Sequence, residues 1–453
     1  MKIITIHSPK TSNKLSSNYR ERNRDKMVRF LPSIAYYRTN AQTGDVMYIM
    51  AYRVWRALPL PASNITRPGK KGHPWYEGWG SSRFDGTAFL MLTVSKDATK
   101  VVVSKDTISS RGNNKMDMRI LHIKDNMYHA TFNTFGRINP LKSPGDKESM
   151  DNNLVPKCFY YIDKQTGIID YNPSTKKVLE QSKNQAEIKR GKYYFDGHGC
   201  TFQNSAIVTL DVSKTRLTPN VRNISLVCPK FHSRVEKNYA MFYDDKGRLS
   251  YQYAIYPWTF LDHDCNRRIP MKTTLFQRVA DYYDPIQSPF KKNIAFSCST
   301  PLIPYSDTEY IAVGHFKIRY DNIYKFPSNS PARKFANKLK KALGISSFDY
   351  EKYTTKIHHE LIYGMFVYTV NRKTLKLQRV SKSFVLMDRK HPTALQFPSG
   401  IVKHGKNKFI TSYHENDMIL KLWVSSREEL ESMLVYNEEK TVTSRYQFDI
   451  IYV

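Results

Sequence analysis

FPSGIVKHGKNKFITSYHENDMILKL, residues 397–422, contains short apolar runs separated by turn-forming residues. Gly400 to Lys403, Lys408 to Tyr413 and Ile419 to Val424 read as three strands of an antiparallel meander. Each run is short, alternates apolar with polar side chains, and stops at Gly, Asn or Asp. The same unit recurs upstream. Met47 to Val54 and Thr87 to Val94 are strong strands. Met118 to Ile123 and Met127 to Phe132 flank the turn Lys124-Asp125-Asn126. Ser205 to Val212 follows. Tyr239 to Tyr243 and Leu249 to Ile255 flank Asp245-Lys246-Gly247, Tyr310 to Ile318 stands alone, and His359 to Val370 and Leu375 to Leu386 flank Asn371-Arg372-Lys373. The clusters start near residues 30, 85, 235, 295 and 395.

Repeated antiparallel clusters with connections of variable length predict an all-β fold, a five-bladed β-propeller with long insertions; a pair of β-sandwiches is the competing arrangement. The expected organisation is a loose N-terminal arm over 1–26, the propeller over 27–430, and a C-terminal closing segment over 431–453. Insertions are expected near 136–200, 262–292 and 322–356. One of them carries a short basic helix, Pro331 to Gly344, with Phe335, Leu339 and Leu343 on one face and lysines on the others. Such a helix either lies on a membrane surface or packs on its own domain.

Composition narrows the function. With 453 residues and 13% aromatics the chain has the means to build a core, which excludes a disordered chain; 19 Gly and 22 Pro without a period exclude collagen. Lys plus Arg total 71 against 40 acidic residues, a net charge of +31. That balance points to nucleic acid, an anionic surface or a phosphate-bearing ligand, or to compositional drift. Five cysteines with no Cys-x-x-Cys pair exclude a zinc ribbon and a thioredoxin motif and suit a reducing compartment. The first residues do not read as a signal peptide and no 18-residue apolar run is present, so a cytoplasmic location without a transmembrane segment is expected. Gly-x-Gly-x-x-Gly, P-loop, Gly-x-Ser-x-Gly and His-Glu-x-x-His motifs are absent from the sequence. Asp262-His263-Asp264-Cys265 reads as a loop rather than a metal site, and neither metal nor cofactor is expected.

Polar residues collect at strand ends, where the axial pocket of a propeller lies: Ser33 and Tyr52-Arg53, Met116-Asp117-Met118-Arg119, Glu236-Lys237-Asn238-Tyr239, Ser299 to Leu302 with Gly314-His315, and Phe397 to Gly400 with Tyr413 to Asp417. The series resembles the five-bladed propellers of the β-mannoside phosphorylases and related mannosyltransferases, glycoside hydrolase family 130, and uncharacterised propellers of large DNA viruses. The resemblance spans about residues 28 to 430 and is most specific in TPLIPY (300–305), YIAVGH (310–315) and 397–422.

The resemblance implies that Asp117 stands where the family's Glu-Asp-Pro-Arg motif carries its acid, with Arg119 kept. It implies substrate-binding roles for Arg53, Arg119, Lys237, His315, Tyr413 and Asp417. His315 also reads as a satisfied core histidine, and Asp117 with Arg119 as a structural pair. Two departures matter: Leu31-Pro32 replaces the family's Asn-Pro, and Ile255-Tyr256-Pro257 replaces a His-Arg-Pro that helps hold phosphate. The second points away from phosphorolysis, leaving hydrolysis, glycosyl transfer or binding. Arg53, Arg119 and Lys237 around Asp117 would lower its pKa and suit an anion clamp for phosphate or a diphosphate. Trp75, Tyr76 and Trp79 are either sugar-stacking aromatics or a core plug. The implied function is glycosyl transfer involving a mannose-like sugar and a phosphate or sugar-nucleotide group. The alternative is a non-catalytic sugar-binding or virion-associated propeller with a basic surface that tolerates nucleic acid.

Overall fold

The computed structural model describes residues 1–6, 27–56, 84–106, 115–135, 137–138, 158–162, 169–170, 193–196, 201–214, 216–227, 238–283, 293–319, 326–343, 361–387, 395–415 and 419–453. Among them the structure is nearly all β, in a propeller-like arrangement with few helices. Four of the sheets in the ring are four-stranded and antiparallel. The first comprises Met27–Thr39, Val46–Arg56, Phe84–Val94 and Val101–Asp106. The second comprises Met116–Lys124, Met127–Phe135, Thr201–Asp211 and Thr218–Leu226. The third comprises Ala240–Tyr243, Leu249–Ile255, Trp258–Leu261 and Arg267–Arg268. The fifth comprises Gln396–His404, Lys408–Glu415, Ile419–Ser426 and, from the other end of the chain, Lys2–Thr5.

The fourth sheet departs from this form. It has eight strands, built on the long pair Glu309–Arg319 and Leu361–Asn371. The expectation of five like blades is therefore corrected to four regular blades and one enlarged mixed sheet. The reason is the C-terminus: Phe448–Tyr452 pairs in parallel with Ser383–Met387, and Tyr436–Asn437 pairs with Leu377–Val380. Residues 431–453 thus extend the fourth sheet instead of closing the last one. The closing strand is N-terminal. Lys2–Thr5 runs antiparallel to Ile419–Ser426, with Ile3 opposite Trp423 and Ile4 opposite Leu422, so the expected loose arm does not hold at its start. Residues 7–26 lie outside the described residues.

Five apolar clusters among the described residues hold the sheets to one another in a ring. Ala35, Ile49 and Phe89 meet Met118, Ile120 and Phe132 between the first and second sheets. Val227 and Leu121 meet Tyr239 and Met241 between the second and third. Phe242, Trp258 and Phe260 meet Phe296, Phe316 and Tyr368 between the third and fourth. Ile311, Met365 and Val367 meet Ile401, Phe409 and Trp423 between the fourth and fifth. Ile34, Tyr48 and Leu90 meet Val402, Ile410 and Leu422 where the fifth returns to the first. A strand between two such clusters is buried on both faces, which is why Tyr48-Ile49-Met50-Ala51-Tyr52 is continuously apolar and at most 1% exposed. Each large side chain buried this way stabilises the ring by about 1.5–3 kcal/mol.

The insertions add a small sheet and two helices. Arg137–Ile138, Cys158–Ile162, Ile169–Asp170 and Tyr193–Asp196 pair within the second sheet's insertion. Helix α1, Leu275–Tyr283, lies in the second insertion, where no helix was expected, and buries Leu275, Phe276, Val279, Ala280 and Tyr283. Helix α2, Pro331–Ala342, is the basic helix, capped by Ser330. Its Phe335 ring sits 5.7 Å from Phe448, so its apolar face packs on its own domain and the membrane-surface alternative is set aside. Helix α3, Arg427–Met433, is closed by a capping box between Ser426 and Glu429. No helix among the described residues is long and apolar enough to cross a membrane. Cys265 is disulfide-bonded, against the expectation of reduced cysteines, while Cys298 is free and buried.

Gly400 sets how closely the ring closes. A Cβ there would stand 2.3 Å from the Ile34 backbone nitrogen and 2.8 Å from Ser412 Oγ. Gly400→Ala must therefore push the fifth sheet off the first, and is expected to cost about 1–3 kcal/mol in urea unfolding with the fold retained.

Candidate functional site

The innermost strands of the sheets converge at their starting ends, where the regular pairing breaks. Register shifts fall between Phe30 and Ser33 in the first sheet, Met116 and Arg119 in the second, and Pro398 and Gly400 in the fifth. Leu31, Asp117 and Asn238 take positive φ values of 52°, 54° and 66°. Non-glycine residues held there cost about 1–3 kcal/mol each, and such bulges re-aim side chains out of the sheet.

Asp117 is re-aimed in this way. Its Oδ1 accepts from Arg53 Nη1 at 2.9 Å and its Oδ2 from Asn133 Nδ2 at 3.0 Å. The Arg53 and Asp117 side chains remain 15% and 17% exposed, so the pair is reachable from solvent. Burial alone pushes the Asp117 carboxyl up, but the charges of Arg53 and Arg119 and the hydrogen bonds from Arg53 and Asn133 outweigh it and hold the group below the usual carboxylate range.

Arg119 behaves differently from the expectation. It is 1% exposed and spends its donors on protein. Nε donates to the Ser299 carbonyl at 2.5 Å, Nη1 to the Asp117 carbonyl at 2.8 Å and Nη2 to Asn238 Oδ1 at 3.3 Å. One guanidinium thereby ties the second sheet to the segment that opens the third and to the turn after the fourth sheet's strand Ile294–Ser297. The anion-clamp role is corrected for this residue, because a buried fork facing carbonyls is closed to a ligand.

His315 joins the same network through Ser299, whose Oγ lies 2.6 Å from His315 Nδ1. It is 5% exposed, and its ring packs 4.1 Å from Phe397, as the core-histidine alternative requires. Phe397 in turn stacks on His414, whose Nδ1 accepts from the Leu31 amide at 3.1 Å. Tyr413 is fully buried in the cluster between the fourth and fifth sheets, its hydroxyl 3.4 Å from Glu415 Oε1. Arg53, Asp117 and Arg119 are thus brought together, His315 is linked to them at one remove, and Tyr413 is not brought into the group. Lys237, Asp417, Trp75, Tyr76 and Trp79 lie outside the described residues.

Asn133 and Lys115 carried no sequence signal. Asn133 orients Asp117 from the neighbouring strand. Lys115, two positions before Asp117, is 3% exposed, and burial lowers its pKa to about 8. Glu415 and Lys421 form a buried pair at 2.6 Å beside Gln396. The ligand atoms of Asp262, His263 and Asp264 lie within 4.8 Å of one another. The Asp262 carboxylate accepts from the amides of Asp264 and Asn266, the Asn266 side chain and Arg268.

No protein-family model matches the sequence, and no curated protein matches it either. Similar solved structures include a β-1,2-mannobiose phosphorylase from Listeria innocua, at 9% identity and TM-score 0.42, covering 91% of this chain and 94% of that one. A mannose phosphorylase from Leishmania mexicana is 9% identical at TM-score 0.37, covering 89% of this chain and 86% of that one. A GDP-Man-dependent mannosyltransferase from the same organism is 8% identical at TM-score 0.36, covering 88% and 85%. Likenesses at this level carry no weight for the chemistry of the site.

The two arginines should separate in unfolding experiments. Arg119→Met leaves the buried Ser299 carbonyl and two part-buried acceptors without their donor and is expected to cost about 3–5 kcal/mol, whereas Arg53→Met, which breaks one charged hydrogen bond at a pair 15% and 17% exposed, should cost about 1.5–3 kcal/mol. Asp117 has a folded pKa below its unfolded value. Its stabilisation is therefore present above the unfolded value, near 3.9, and lost as pH falls through the folded one. In Asp117→Asn that part of the acid destabilisation should vanish from urea midpoints measured across this range.

Proposed function

We propose that the protein is a carbohydrate-active propeller transferring a mannose-like glycosyl group from a phosphate or sugar-nucleotide donor, with the eight-stranded sheet serving as the fifth blade. The observation that carries this reading is the Arg53–Asp117 pair, a partly exposed ion pair on a re-aimed strand end among otherwise buried side chains. The sequence resemblance at Asp117 and Arg53 supports it.

In this proposal the ionised state of Asp117 favours transfer among the reactions left open by the sequence. Cleaving a glycosidic bond requires an acid to protonate the leaving oxygen, and a carboxyl held below its usual range is a poor donor at neutral pH. Transfer from a sugar phosphate requires the opposite. Asp117 accepts the proton of the acceptor hydroxyl as that oxygen bonds to the anomeric carbon. The bond to the phosphate oxygen breaks, and the electron pair leaves with the phosphate. Arg53 keeps the base ionised, and Lys237 is the proposed cation for the departing phosphate. Asp417 is the proposed partner for sugar hydroxyls. The buried Tyr413 and His315 then hold strands rather than substrate.

A second reading, a binding propeller without turnover, is favoured by the commitment of Arg119 to protein carbonyls. A nucleic-acid role resting on the net charge of +31 predicts affinity that collapses with salt, unlike sugar binding in a pocket.

Turnover of mannose 1-phosphate and GDP-mannose with mannose as acceptor tests the proposal. Asp117→Asn is expected to lower kcat by about 10²–10⁴ in protein that is still folded, although loss of the ionised partner of Arg53 also lowers stability at neutral pH. The rate should fall on the acid side only below about pH 4. Binding of either donor without turnover by a folded wild type would transfer the assignment to the binding reading.

A further inference from the structure

A second concavity lies between the third and fourth sheets, at the end of the strands away from Asp117. Strand Ala240–Tyr243 starts beside Asn238, the partner of Arg119, and ends at the turn Asp244 to Gly247 on the rim of this cavity. Six residues of extended chain separate the two by about 20 Å. The cavity has a volume of about 240 Å³. That equals about eight waters of liquid, room for one ring and an anionic group.

Its chemistry is two-sided. Phe242, Phe260 and Leu375 supply an apolar floor and are 2%, 1% and 9% exposed. The rim comes from three turns and carries five cationic side chains against three carboxylates. Two of the carboxylates are already engaged: Asp244 takes Arg248 in a two-pronged bond, and Asp262 caps its own turn. Arg372 is the distinctive member. Its guanidinium lies over the Tyr310 ring at 5.2 Å and reaches Asp245 at 3.2 Å. Its Nε–H is buried without an acceptor. A buried guanidinium donor without a partner is costly, and Asp245, 46% exposed, is a partner that a ligand can exchange for its own anion. Lys373, next in the chain, is exposed on the same rim.

We propose that this cavity binds a small organic anion with an apolar or aromatic body. The body rests on Phe242, Phe260 and Leu375, and the anionic group replaces Asp245 as acceptor from Arg372 Nη2, with Lys373 alongside. Bidentate guanidinium recognition of a phosphate or carboxylate is the strong form of such a contact, and an apolar floor excludes the water that would weaken it. The site is separate from the Arg53–Asp117 centre and does not depend on the transfer reaction.

Calorimetric titration of the whole chain with phenyl phosphate, inorganic phosphate and benzyl alcohol at one ionic strength tests it. Phenyl phosphate should bind about tenfold or more tightly than either half alone. Arg372→Met should weaken it at least about tenfold. Lys373→Glu, on an exposed turn where folding is not at stake, should weaken it about threefold. Asp117→Asn should leave it unchanged. Absence of phenyl phosphate binding by the wild type, equal affinity for inorganic phosphate, indifference to both Arg372→Met and Lys373→Glu, or loss in Asp117→Asn would each overturn the proposal.

Discussion

The guanidinium of Arg119 is the contact on which the centre of this protein depends. It is a permanent charge, 1% exposed, and it meets acceptors from the second, third and fourth sheets. A buried cation is tolerated only when its donors are met, so the segments holding Ser299, Asp117 and Asn238 must arrive together or not at all. Their arrival fixes the bulge at Asp117, and the bulge turns the carboxylate toward Arg53. The ionised state of Asp117 follows from the same geometry, since two guanidinium charges outweigh its desolvation. Structure and chemistry at the centre are therefore coupled through one side chain that itself faces no ligand.

Closure of the ring is the second constraint. A ring of sheets is held shut when the last sheet takes its outermost strand from the other end of the chain, each sheet keeping a short outer edge. Lys2–Thr5 does this by pairing with Ile419–Ser426. Close approach at Gly400 and the bond from Ser412 Oγ to the Pro32 carbonyl at 2.5 Å complete the junction. The C-terminus, with its ring already closed by the first residues, is free to enlarge the fourth sheet.

Much of the strand content was legible because it rests on local pattern. Continuous apolar runs such as Met47 to Tyr52 mark strands buried on both faces, and Asp245-Lys246-Gly247 marks a tight turn with Gly247 at φ 72°. Helix α2 was legible from its Pro, its Gly and one apolar face. Helix α1 was not, since nine residues with mixed polar positions resemble a loop until Phe276 finds Phe296 and Phe366. The closing strand was hidden for a related reason: four residues of Lys2–Thr5 have no strand identity without a partner more than 400 positions away. At the site, Asp117 and Arg53 could be named from a motif resemblance and Ser299 from its strand-end position, but Asn133 could not, because a side-chain amide leaves no motif.

Local pattern and composition carry the class: clustered antiparallel strands, aromatics enough for a core, a net charge of +31, and a candidate carboxylate set among arginines. Only the tertiary structure decided what each charge does. Arg53 and Arg119 flank the same aspartate and read alike as residues, yet one is 15% exposed at an ion pair and the other is sealed against carbonyls. The difference lies in burial and in donors already spent. Both depend on which sheets stand around the side chain, and strand pairing over hundreds of residues, not local sequence, places those sheets.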